Sequence, residues 1–270
     1  MLKMILKAFV IGATMMVPGV SGGSMAMVLS IYKDLIDKMS NFRADMKNNF
    51  IFLAFFSLSA LSGMFLLSKP IMHLIDAYPI VSMYFFLGLV VGSVPTIYKA
   101  ADVSKIGIKE VLSFTIGFLI VLAVSFIPEG IFTVQELSFT QVIVHIIGGF
   151  LVSIGFILPG ISFSYLLLIL GLYSFIIEKL SNFDILSLIP FGLGFLLGLL
   201  VMVKAIEKAL SKYPKISYLV ILGFLLGSLI PVFPGLPKTA VEAVLSIVVF
   251  VIGFIIIFFV SKVEEKKKLS

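Results

Sequence analysis

Cysteine and tryptophan are both absent from the 270 residues. Without cysteine there is no disulfide framework and no thiolate chemistry. Without tryptophan, any aromatic belt falls to Tyr and Phe. Charge is scarce as well: 13% of residues are Asp, Glu, Lys or Arg, against about 25% in a soluble domain. Arginine occurs once, at Arg43. No Asp, Glu, Lys, Arg or His lies within 50–68, 80–98, 111–127, 185–203 or 217–233. A carboxylate at mid-membrane, where proton-coupled carriers usually hold one, is therefore missing. The longest polar stretch, about 33–49, reads as a loop, so no large soluble domain is expected.

What is present is apolar. The chain is 60% hydrophobic with a mean hydropathy of +1.22, which indicates an all-α integral membrane protein with most of its length in lipid. The net charge of +6 does not point to nucleic acid, because the lysines sit at the ends of apolar runs and serve to orient them. Lys3 and Lys7 ahead of an apolar run mimic a signal peptide. The run continues into a motif that recurs later, so we expect it to be retained.

That motif is the strongest signal in the chain. PGVSGGSMAMVLSIYKDLIDKMSNF (18–42) and PGISFSYLLLILGLYSFIIEKLSNF (159–183) align without a gap and share 10 of 25 positions, among them Pro18/Pro159, Gly19/Gly160 and Ser21/Ser162. The likeness extends onward. Tyr78-Pro79 recurs as Tyr213-Pro214, LGLVVGS (87–93) as LGFLLGS (222–228), and Val111-Leu112-Ser113 as Val244-Leu245-Ser246. The unit is about 135 residues, giving repeat 1 at 1–135 and repeat 2 at 136–270.

Apolar segments fall at about 4–31, 50–68, 80–98, 110–127, 141–177, 185–203, 217–233 and 240–260, the first and fifth broken by the Pro-Gly pairs. Lysine and arginine counts arbitrate whether the broken segments cross once or fold back. If both fold back, 17 of the 20 basic residues share one side; if both cross, the split is 11 to 9. If only the second folds back, it is 15 to 5, and the repeat itself argues against that mixture. Each unit then reads as a re-entrant hairpin (about 4–38 and 140–180) followed by three spans. Three is odd, so the second copy is inverted relative to the first. Both termini are expected on the cytoplasmic side of a bacterial inner membrane.

A proline fixes its own φ and moves its predecessor out of the helical region. Val17 and Leu158 should therefore end half-helices. The stretch Gly19–Ser24 lets the backbone turn and approach a ligand closely, with Ser21 as the expected cap of the next half-helix. Irregular backbone at membrane depth survives only inside protein or along a wet cavity. A helix start there offers oriented N–H groups to an anion. The candidate binding residues are Pro18, Gly19, Ser21, Gly22, Gly23 and Ser24 in the first copy, and Pro159, Gly160, Ser162 and Ser164 in the second. Tight helix packing alone is the competing reading of these small residues. Gly22-Gly23 against Phe163-Ser164 makes the first tip the more open, so we expect it to be the main ligand contact.

GATMMVPGVSGGSMAMVLSIYKDLI together with the second PGIS resembles the bacterial polyprenyl-phosphate transporter family, and the resemblance covers essentially the whole chain. It implies a flippase that returns undecaprenyl phosphate from the outer to the cytoplasmic leaflet for reuse in cell-wall synthesis. PGISFS in the second copy departs from the glycine-rich form expected of that family. The implied partners are polyprenyl phosphate and membrane lipid. We expect no catalytic residue, metal or cofactor, and the oligomeric state stays open, a homodimer included.

Peripheral charges have two readings each. Lys69 and His73, and their repeat equivalents Lys204 and Lys208, are spaced to share a helix face; they either attract a headgroup or snorkel. Asp37 and Glu178 are equivalent and are candidates for ion coupling or for pairing with nearby lysines. His145 is a candidate proton switch or a water-facing interfacial side chain. Tyr32 and Tyr173 read as interfacial anchors. A carrier of soluble anions and a lipid pyrophosphate phosphatase remain as alternative functions. The phosphatase lacks an arginine after either serine and paired glutamates within a span.

Overall fold

The computed structural model describes residues 1–15, 21–103, 105–131 and 139–268. Among these, every regular element is helical. The first half contains α1 (Leu2–Thr14), α2 (Gly22–Val28), α3 (Tyr32–Ser40), a single 3-10 turn (Phe42–Asp45), α4 (Met46–Ala77), α5 (Pro79–Ala100) and α6 (Ile108–Ser125). The second contains α7 (Phe139–Ile157), α8 (Phe163–Ile169), α9 (Tyr173–Ser181), α10 (Ile185–Lys212), α11 (Pro214–Gly227), α12 (Leu229–Val232) and α13 (Ala240–Lys268). Among the described residues, six stretches are long and apolar enough to cross a membrane: Phe42–Leu67, Pro79–Ala100, Ile108–Ser125, Ile185–Lys212, Pro214–Val232 and Ala240–Val260. They coincide with the six unbroken apolar runs, and the chain is a multi-pass membrane protein.

Both broken segments are divided into three helices rather than two. α2 ends with Ser30 at φ 55 and α8 with Gly171 at φ 69. At each end the same pair of hydrogen bonds closes the last turn. Ile31 N–H donates to the Ala26 carbonyl and Ser30 N–H to that of Met27, both at 2.9 Å. Leu172 N–H donates to Leu167 (2.9 Å) and Gly171 N–H to Leu168 (3.0 Å). This is the Schellman closure, which needs a left-handed residue. After it, the chain turns by 113° from α8 into α9. At Gly171 apolar residues continue through the end, and at Ser30 the apolar run stops just beyond it without any glycine to mark the left-handed turn.

Other boundaries recur in the same way. Asp45 caps α4 by accepting from Asn48 N–H, and Asp184 caps α10 by accepting from Ser187 N–H, each at 3.3 Å. Tyr78 and Tyr213 precede α5 and α11, whose first residues are Pro79 and Pro214, the helical position where a missing N–H costs nothing.

The helices pack as four close pairs: α1 on α4, α7 on α10, α5 on α13 and α6 on α11. The last two cross between halves. Glycine makes every one of these contacts. A methyl group at Gly12 or Gly63 would overlap the backbone carbonyl of Ala60 or Phe9. The corresponding clashes are Gly149 and Gly194 with Phe191 and Ile146, Gly88 and Gly253 with Phe250 and Phe85, and Gly117 and Gly223 with Val220 and Phe114. Each pair is reciprocal, a glycine of one helix against a carbonyl of the other. Small residues at such positions allow the backbones to approach, where dispersion replaces the hydrophobic drive that lipid does not supply. α2 lies inside this frame against α5 and α7, with Met25, Val28 and Leu225 in the main core. The outward side chains, such as Leu58, Phe65, Leu200 and Ile247, are apolar and exposed, as lipid contact requires.

Gly192 and Gly194 lie on the same helix, but a methyl at Gly192 meets nothing. Gly194→Ala should destabilise the protein by about 1–3 kcal/mol, the cost of overpacking a tight contact. Gly192→Ala should be neutral or stabilising by up to about 1 kcal/mol, the helix-propensity difference. Thermal unfolding of both variants in one detergent checks the contrast.

Candidate functional site

The two chain breaks meet. Ser21 has extended backbone and its Oγ accepts the Ser24 N–H at 3.0 Å, which starts α2. Ser162 stands in the same posture and accepts the Tyr165 N–H at 3.4 Å, starting α8. Across the halves, Gly160 N–H donates to Ser24 Oγ at 2.7 Å. Ser24 Oγ in turn lies 2.7 Å from Ser21 Oγ. A continuous polar chain thus runs from Gly160 through Ser24 to Ser21, with Ser24 only 5% exposed.

Two glycines permit this junction. A Cβ on Gly23 would sit 2.7 Å from the Ile157 carbonyl oxygen and 3.3 Å from Pro159 N. Gly160 has φ +86, and a Cβ there would overlap the Phe224 carbonyl, so it needs glycine for both conformation and space. Gly22 is different: its Cβ would meet only the flexible end of Met15, at 3.2 Å. Pro159 is fully buried beneath the junction. Pro18 and Gly19 lie outside the described residues.

Beside the junction is a cavity of about 260 Å³ walled by Ser125, Gly160, Ser162, Tyr165, Ser228 and Val232. Its hydroxyls are parked on backbone carbonyls. Ser125 donates to Val121 and Ser228 to Leu225, both at 2.8 Å. The Tyr165 hydroxyl faces the carbonyls of Ser125 (3.0 Å) and Ile127 (3.2 Å). Such a hydroxyl can rotate from a carbonyl to an incoming anion, and a hydrogen bond to a charged acceptor is roughly twice as strong as a neutral one. Among the described residues lining it, none is Lys, Arg, Asp, Glu or His.

Only part of the sequence-derived set gathers here. Ser21, Gly23, Ser24, Pro159, Gly160 and Ser162 do; Ser164 is exposed and is not part of the cavity wall. The larger cavity lies against the second break, while the first contributes Ser24 to a smaller one of about 20 Å³ shared with Phe86, Val90 and Ser228. Lys69, His73, Lys204 and Lys208 are exposed, and none lines a cavity at the junction. Glu178 is exposed and pairs with Lys179 at 3.7 Å. Asp37 is half-buried on α3, and its carboxyl is held above the usual range, first by desolvation and then by Glu207 and Asp34, against the opposing pull of Lys33 and Lys38.

Two readings of exposure are overturned. His145 is not water-facing: it is 0% exposed, its Nδ1 lies 2.6 Å from the Gln141 carbonyl, and its ring packs on Phe175 at 4.4 Å. The division of the second arm into α8 and α9 brings Phe175 over it. Tyr32 is 3% exposed with no partner for its hydroxyl, because the turn at Ser30 folds α3 inward. Sequence reasoning missed Ser125, Tyr165 and Ser228. Ser228 had a signal, as the last residue of the repeated LGFLLGS; Ser125 had none.

The undecaprenyl phosphate translocase-like family profile matches residues 11–248, most of the chain. The chain belongs to that family. It is 33% identical over 263 residues to the polyprenyl-phosphate transporter of Staphylococcus aureus (strain NCTC 8325 / PS 47), covering 93% of each protein. It is 26% identical over 244 residues to the polyprenyl-phosphate transporter of Vibrio cholerae serotype O1, covering 85% of this chain and 76% of that one. No solved structure matches. Both chain breaks fall within the stretch that the family profile covers.

Ser24→Ala removes the acceptor of the Gly160 N–H and should cost about 1–3 kcal/mol, the penalty for a buried donor left unpaired; thermal unfolding reads it. For Asp37 the sign follows from its raised folded pKa. The protonated form is the better one in the fold, so stability is full below the ordinary value of 3.8 and falls as pH rises through the raised pKa. Asp37→Asn should therefore gain stability over the native chain at neutral pH and lose that advantage in acid, as unfolding measured across pH will show.

Proposed function

We propose that this protein is a flippase for polyprenyl phosphate, carrying it from the outer to the cytoplasmic leaflet of the bacterial inner membrane for reuse in cell-wall synthesis. The observation that carries the reading is the junction of the two breaks beside a hydroxyl-lined cavity within otherwise apolar helices. Both relatives are polyprenyl-phosphate transporters, and the cavity offers chemistry that suits a phosphate.

The broken segments are read as re-entrant hairpins and the halves as inverted repeats, with both termini cytoplasmic. The crossed pairing of α5 with α13 and α6 with α11 fits two interlocked halves, and rocking of one bundle of helices against another, with these pairs kept intact, would open the junction to each side in turn. Phosphate would be bound by the Ser162, Ser125 and Ser228 hydroxyls and by amides at the starts of α2 and α8, with Ser21, Gly22 and Gly23 on the first side. Pro159 and Gly160 shape the second break. The exposed Lys69, His73, Lys204 and Lys208 would draw anionic headgroups toward each face. Asp37 is the better coupling candidate of the equivalent pair, because it is half-buried where Glu178 is exposed.

A site without fixed cations has a functional merit. Neutral donors hold a phosphate firmly enough to take it from water, yet leave no buried ion pair to break on release. Transport needs both entry and exit.

The test is flipping of fluorescent undecaprenyl phosphate in proteoliposomes, followed by a membrane-impermeant quencher. The wild-type protein should move the lipid, and the double variant Ser162→Ala/Ser228→Ala should do so at least about tenfold more slowly, since a hydrogen bond to a charged group is worth about 1.5–3 kcal/mol. Equal rates would remove the cavity from the mechanism. Uptake of inorganic phosphate without lipid movement would make the protein a soluble-anion carrier.

A further inference from the structure

A lipid phosphate needs a way out for its tail. Between α5, α12 and α13 lies a groove of about 360 Å³ lined wholly by apolar side chains: Leu87, Val91, Leu229, Ile230, Phe233 and Phe250. Its rim opens outward, with Ile230 51% and Phe233 48% exposed. We propose that this groove seats the isoprenoid chain of the substrate, threaded past Ser24 and Ser228 to the phosphate in the hydroxyl-lined cavity. The inference rests on the polyprenyl-phosphate reading and adds the place and direction of the tail.

Continuity carries it. The groove and the small neck share Leu87 and Leu229. The neck and the hydroxyl-lined cavity share Ser228 and Val232. One short helix, α12, thus contributes a wall to all three spaces, and polarity falls steadily along the route. The hydroxyls of Ser125 and Ser162 stand at one end, Ser24 and Ser228 at the neck, and hydrocarbon alone at the other. That is the polarity profile of a lipid with one small anionic head. At about 20 Å³, the neck has room for about one water-sized group, so an isoprenoid chain passes it only as the neck widens during transport.

The route exists because the repeat is broken at this place. α5 runs unbroken from Pro79 to Ala100, and its Ser93 is buried on the Val90 carbonyl at 2.7 Å. In the second copy the equivalent helix stops at Gly227, restarts as α12 and ends before Phe233, whose backbone is extended. Pro234 favours the extended backbone of Phe233, and Gly235, at φ +88, keeps the following chain from continuing the helix. Phe233 is instead held outward against Tyr84, with ring centroids 6.1 Å apart.

The test uses the full chain in liposomes with undecaprenyl phosphate carrying a diazirine in its tail, and adducts mapped by peptide mass spectrometry. Adducts should concentrate on Leu87–Val91 and Leu229–Phe233 and vanish under excess unlabelled substrate. Adducts spread evenly over the lipid-facing sides of α4 and α10 would overturn the groove. In parallel, Ile230→Trp, a rim change, should lower the ratio of undecaprenyl-phosphate to geranyl-phosphate flipping at least fivefold. An unchanged ratio would overturn the proposal even if the rate falls. If the wild-type protein moves no polyprenyl phosphate, the transport reading itself fails; if it does and both groove results are negative, only the tail site fails.

Discussion

Close approach of helix backbones through glycine is the constraint on which this structure depends. In lipid the hydrophobic effect does not press helices together, since the tails are as apolar as leucine. Association has to come from contact itself, and contact is densest where one helix offers no side chain. The four main pairs each place a glycine against a carbonyl of the partner, reciprocally. Weak Cα–H···O contacts accompany such geometry, but the larger gain is dispersion over the whole interface. The crossed pairs, α5 with α13 and α6 with α11, make the two halves one body.

That frame is what allows irregular backbone at the centre. A chain break within an apolar protein exposes amides and carbonyls that lipid cannot satisfy. Here the breaks satisfy one another: Gly160 N–H finds Ser24 Oγ, Ser21 caps α2 and Ser162 caps α8. The same junction leaves a cavity whose hydroxyls are bonded but free to exchange partners. A packing requirement and a binding opportunity thus have one origin, and the choice between small residues for packing and small residues for ligand is not exclusive. Gly23 and Gly160 serve close approach, whereas Gly22 is spared it.

The halves are alike in local devices and unlike at the points that matter for a substrate. Matching Schellman ends, capping aspartates and Tyr-Pro boundaries recur in register. The second copy alone interrupts its middle helix at Ser228, and there the hydroxyl-lined cavity, the neck and the apolar groove adjoin. An asymmetric substrate, anionic at one end and hydrocarbon along the rest, fits such an asymmetric centre.

The sequence by itself determined the class, the six spans, the two breaks and the capping Ser21. These follow from hydropathy, from proline and glycine geometry and from an alignment of the chain with itself, all of which act over a few residues or a fixed period. It did not disclose the turns at Ser30 and Gly171, since apolar residues run straight through the second and the left-handed residue of the first is a serine. Those turns buried Tyr32 and His145, which their residue types and places near the segment ends had put at the interface. Nor did it place Ser125, Tyr165 and Ser228 together, or join Ser24 to Gly160. These residues are 40 to 136 positions apart, from Ser125–Tyr165 to Ser24–Gly160, and no local signal reports a distance across a fold. Only the tertiary structure decided them, because glycine contacts between helices set which surfaces meet, and a cavity is the space those contacts leave.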